Sequence, residues 1–70
     1  MSLQSISWNE CVKKLSRVGY ELVSTNHSHA KLRCPGRNVV SVPLHRELSK
    51  GSLRDIIRGA GLTDKQFMAL

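Results

Sequence analysis

Apolar residues keep helical spacing at both ends of this chain and alternate in its middle, and that change of period leaves few folds open. Trp8, Cys11, Val12, Leu15 and Val18 recur every three or four residues, which lines one face of a helix. Ser7-Trp8-Asn9-Glu10 has the form of a capping box, Ile6 and Cys11 are spaced as a hydrophobic staple, and Gly19 supplies a stop. Ser49 caps a second helix, with Leu48 and Leu53 as its staple. Leu53, Ile56, Ile57 and Ala60 share its face, and Gly59 and Gly61 end it. Thr63 with Gln66 makes another capping box, and Leu62 can pack on Phe67 over a short last helix. Between the first two helices the period falls to two, predicting strands from Tyr20 to Thr25, His29 to Cys34 and Val39 to Val42. Pro35-Gly36 suits a type II turn, so the second and third strands form a hairpin, and Pro43 ends the third. The expected fold is α+β: helix, three-stranded antiparallel sheet, helix and a short C-terminal helix. The helices cover one sheet face and leave the other to solvent.

Seventy residues, 40% of them hydrophobic, suffice for one small domain, residues 1–70, with a thin core. Eleven Lys and Arg against five Asp and Glu give a formal net charge of +6. The cations are dispersed from Lys13 to Lys65, as on a folded basic surface rather than a basic tail. Such a surplus points first to nucleic acid, then to an acidic protein or an anionic membrane. Cys11 and Cys34 are too far apart for a CxxC pair and too few for a zinc set, so both read as buried thiols. No apolar run is long enough to span a bilayer, and no secretory signal opens the chain. No membrane partner is expected, and residence in the cytoplasm is.

The stretch His27-Ser28-His29-Ala30-Lys31-Leu32-Arg33 carries the chemistry. On a strand, His29, Lys31 and Arg33 share one face while Ala30, Leu32 and Cys34 turn the other way. An imidazole that exchanges a proton near neutral pH then sits beside two fixed cations, a face suited to a phosphodiester. RNA brings its own nucleophile in the 2′-hydroxyl, so one base or acid suffices and no metal or other cofactor is called for. Neighbouring cations can stabilise the charge that builds on phosphorus. Three histidines without carboxylates at ligand spacing do not make a metal site. His27 and His45 are assigned to surface loops.

The order of motifs resembles the HicA (YcfA-like) toxins, over nearly the whole chain. A first helix ending in Gly19-Tyr20 leads to His27-Ser28-His29, which resembles the family's Gly-Ser-His segment. The Pro35-Gly36 turn and Val40-Ser41-Val42-Pro43 follow, then Lys50-Gly51-Ser52-Leu53-Arg54-Asp55-Ile56, Ala60-Gly61-Leu62 and Phe67. His27 stands where the family usually has glycine, and Leu32 where an aromatic is frequent. The resemblance implies a double-stranded-RNA-binding-domain-like fold and a ribosome-independent mRNA endonuclease, the toxin of a toxin–antitoxin pair. It also implies neutralisation by a HicB-type antitoxin, and it maps the catalytic histidine onto His29. Ser28, Lys31 and Arg33 are the expected RNA contacts around it.

Lys50, Arg54 and Arg58 recur every four residues along the second helix. Self-repulsion along that stripe would be relieved by an RNA backbone or an acidic antitoxin surface, and the three are assigned to RNA binding. The competing function is a non-catalytic double-stranded-RNA-binding module using the same basic surface. Only one lysine at the start of the second helix argues against it.

Overall fold

A computed structural model describes residues 5–70; of the single domain expected over 1–70, residues 1–4 lie outside the described residues. The elements follow the expected order: α1 (Trp8–Ser16), β1 (Glu21–Thr25), β2 (His29–Arg33), β3 (Val40–Pro43), α2 (Lys50–Gly59) and α3 (Asp64–Met68). The three strands form one antiparallel sheet in the order β1-β2-β3. This is the α+β arrangement the change of period predicts. No helix among the described residues is long and apolar enough to cross a membrane.

Each helix starts where a hydroxyl can satisfy a free main-chain N–H. Ser7 Oγ accepts from Glu10 N at 3.3 Å, Ser49 Oγ from Ser52 N at 3.1 Å, and Thr63 Oγ1 from Gln66 N at 3.1 Å. Only at α3 does the box close, with Thr63 N donating to Gln66 Oε1 at 2.9 Å. At α1 the expected box is half made, because Ser7 caps Glu10 but the Glu10 side chain returns no such bond.

Two of the helices, α1 and α2, also end by one device. Gly19, at φ 105°, lets Tyr20 N–H reach back to the Leu15 carbonyl at 3.2 Å, and Gly61, at φ 75°, does the same for Leu62 and Ile57 at 3.1 Å. Gly59, expected to help end α2, is instead its last helical residue. Cys34-Pro35-Gly36-Arg37 forms the expected type II turn, with Gly36 at φ 79° and Arg37 N donating to the Cys34 carbonyl at 3.1 Å.

The core joins Cys11 and Leu15 of α1, Ala30 and Leu32 of β2, Val40 and Val42 of β3, and Leu53, Ile56 and Ile57 of α2. Leu48 and Phe67 close it at either side, and no polar side chain is buried among the described residues. β2 alternates strictly between exposed and buried positions, as a half-covered strand must.

β1 departs from the expected pattern. All five of its residues are exposed, Leu22 at 49% and Val23 at 58%. Both main helices pack against β3, so the helical layer does not extend to cover β1. A register shift between Leu22 and Ser24 adds a bulge at Val23, which breaks the alternation of side chains along the strand. Tyr20, just before the strand, is the residue of this segment that reaches the core, and its hydroxyl donates to the Asn38 carbonyl at 2.8 Å.

Candidate functional site: a histidine, a basic strand and a groove

The β1–β2 connection is built around Asn26. Its side-chain Oδ1 accepts from Ser28 N and from His29 N, both at 2.8 Å, while Asn26 N donates to the His29 carbonyl at 3.0 Å. Asparagine favours such turns because its short amide can stand in for a main-chain acceptor. The Ser28 carbonyl accepts from Leu44 N at 2.9 Å, which ties the same turn to the segment after β3. His29 is thus held through its backbone while its side chain stays exposed. No non-glycine residue described has a positive φ, so His27 occupies its place in the turn without needing the freedom of glycine.

From this anchor β2 presents His29, Lys31 and Arg33 on the solvent side, with Ala30 and Leu32 in the core. Across the sheet His29 lies opposite Pro43, Lys31 opposite Ser41 and Ser24, and Arg33 opposite Glu21. The imidazole and the two cations therefore share one face, as alternation predicts. Ser28 precedes the strand in the turn, with an exposed side chain. His27 and His45 are exposed residues outside the strands, and the His45 carbonyl serves as acceptor for Trp8 N at 3.1 Å.

Two cavities adjoin this face. One, of about 280 Å³, is a groove between β3 and α2, walled by His29, Ser41 and Pro43 on the sheet and by Ser52, Asp55 and Gly59 on the helix. Glycine at position 59 lets the helix come close, since a Cβ there would meet Val40 Cγ1 at 3.3 Å. The other cavity, of about 420 Å³, runs past Lys31, Arg33 and Arg37 between the half-exposed Val23 and Val39. Arg37 is itself anchored, donating from Nη1 to the Ala60 carbonyl at 2.7 Å.

Lys50, Arg54 and Arg58 are all exposed on α2, but none lines the groove beside His29. Successive helical residues turn by about 100°, which sets Arg54 roughly 140° around the axis from Gly59. The structure therefore gathers His29, Lys31 and Arg33 on one face and leaves Lys50, Arg54 and Arg58 outside the groove. Asn26 and Asp55 are the site residues that hydrophobic and charge spacing do not reveal. A turn asparagine just before Ser28 is the signal for the first. For the second, the signal is the helical phase that sets Asp55 off the cationic stripe.

Burial, more than any neighbouring charge, governs the Cys11 thiol. It is pushed up from 9.0 to about 12 by desolvation, with Lys14 opposing. Cys11 is a core residue rather than a nucleophile. Tyr20 is raised by its own burial first and by Cys34 second, with Arg37 lowering it.

Residues 8–62 match the family model described as the HicA toxin of bacterial toxin–antitoxin systems. A comparison with curated proteins finds no match. The matched span runs from the first residue of α1 to just past α2 and contains the Asn26 turn, the basic strand and the groove. On that evidence the chain belongs to the HicA toxin family.

Proposed function

We propose that this toxin is a metal-independent endoribonuclease that cleaves mRNA, with His29 transferring a proton in the reaction. The observation that carries this reading is an exposed imidazole on a pinned strand, with Lys31 and Arg33 on the same face. In the step envisaged, the 2′-oxygen of the substrate forms a bond to phosphorus and the bond from phosphorus to the 5′-oxygen breaks. The proton of the 2′-hydroxyl goes to a base, and the departing 5′-oxygen receives one from an acid. The products are a 2′,3′-cyclic phosphate and a 5′-hydroxyl. Lys31 and Arg33 attract the phosphodiester and offset charge as it grows on the phosphoryl oxygens, and Ser28 contacts the same strand of RNA. Lys50, Arg54 and Arg58 lie on α2 outside the groove, where they bind a more distant stretch of RNA backbone. A HicB-type antitoxin holds the enzyme inactive, and both work in the cytoplasm.

The test is cleavage of a long single-stranded transcript by the purified protein in EDTA, beside its His29→Ala variant. Loss of cleavage in the variant, with unchanged melting, is the expected result. Equal cleavage by both proteins would end the assignment of His29. Salt-sensitive binding without cleavage by either would make the chain a non-catalytic RNA-binding module.

A further inference from the structure

A histidine alone supplies one of the two proton transfers that the reaction needs, and the groove beside it holds a carboxylate. Asp55 stands on the helical wall of the cavity whose sheet wall carries His29, with Ser41 and Ser52 also lining it. The antiparallel course of β3 and α2 brings this about, by setting the start of α2 beside the Pro43 end of the strand and Gly59 beside Val40.

The charge placement gives the carboxylate its significance. None of the α2 cations lines the groove, and the single acid of the helix does. Asp55 is an exposed residue that lines the groove together with His29. Two groups in direct contact would neutralise each other. Two groups on facing walls leave room for the phosphodiester that in-line displacement must place between base and acid.

We propose that Asp55 is the second proton-transfer group of the site, the base to the acid of His29, an inference that rests on the ribonuclease reading above. The Asp55 carboxylate takes the proton of the 2′-hydroxyl as that oxygen bonds to phosphorus. The His29 imidazolium gives its proton to the 5′-oxygen as that bond breaks. Water then returns a proton to the imidazole and takes one from the carboxylic acid, so the enzyme regains its starting state with no oxidant, reductant or metal. Ser41 and Ser52 line the same groove and supply hydroxyls to it.

Single-turnover cleavage of the transcript by Asp55→Asn, measured in EDTA beside wild type and His29→Ala, tests the pairing. The expected rate falls by about 10²- to 10³-fold, within the range of one general base. Affinity for fully 2′-O-methylated RNA, which lacks the nucleophile, stays the same or tightens because a negative charge has left the groove. Asp55→Glu keeps a carboxylate and recovers part of the rate. A rate for Asp55→Asn within twofold of wild type, with His29→Ala inactive, would overturn the role of Asp55 while leaving that of His29 standing. Full activity in His29→Ala would instead overturn the reading beneath it. A matching loss of RNA affinity or of melting temperature in Asp55→Asn would make the residue structural and would also overturn the proposal.

Discussion

The amide oxygen of Asn26 accepts the main-chain N–H of His29 at 2.8 Å, so the backbone of His29 is held by a side chain three places before it. The same oxygen holds Ser28 N at 2.8 Å. Asn26→Ala removes this acceptor from both N–H groups of the turn and is expected to lower stability by about 1–2 kcal/mol. Cleavage should fall by roughly tenfold as His29 loses its fixed position. Asn26→Asp keeps the acceptor and should restore both. Thermal melting and single-turnover cleavage of the three proteins check this, and an unchanged rate in the alanine variant would remove Asn26 from the site.

Two groups of cations sit on different surfaces, and their salt dependence should separate them. Replacing Lys31 or Arg33 by Ala is expected to weaken RNA binding. The slope of log affinity against log salt should shrink by about 0.7 for each phosphate of a single strand that is no longer neutralised. Both changes should also slow cleavage. Charge reversal at Arg54 or Arg58 should reduce the slope of binding in the same way but leave the single-turnover rate at saturating protein nearly unchanged, because neither residue lines the groove. An unaltered slope in the α2 variants would make that stripe an ordinary solvated face.

Stability should fall in alkaline solution. Cys11 is raised from 9.0 to about 12 by burial, and Tyr20 is raised for the same first reason. Above pH 9 the unfolded chain releases the Cys11 proton while the folded chain retains it, so the unfolded state binds fewer protons and stability declines as pH rises. The contribution is full below pH 9 and is lost progressively as pH approaches about 12, at no more than about 1.4 kcal/mol per pH unit for this one group. Urea unfolding from about pH 8 upward measures it, and Cys11→Ala should flatten the decline while lowering stability at every pH through the cavity it leaves.

The helices and the hairpin were legible because their signals are local. Ser7, Ser49 and Thr63 each precede an apolar series, and Pro35-Gly36 names its own turn. The sharing of one face by His29, Lys31 and Arg33 follows from strand alternation alone. The exposure of β1 was not legible, since strand period alone does not tell that the helices rest on β3 and leave Leu22 and Val23 uncovered. Nor was the relation of α2 to the sheet: spacing shows that Lys50, Arg54 and Arg58 share a stripe but not which neighbour it faces. That depends on the close approach of Gly59 to Val40, a tertiary fact. Asp55 joins His29 only through this packing.

The bulge at Val23 bears on how the protein meets copies of itself. β1 is an outer strand with two half-exposed apolar side chains, the kind of border onto which a neighbouring molecule can add a strand and begin to aggregate. A regular border would offer donors and acceptors in an unbroken row. The register shift between Leu22 and Ser24 interrupts that row midway, so an incoming strand loses its match after a few residues. The register shift in β1 thus gives the uncovered border the kind of irregularity that disfavours the addition of a strand from another copy.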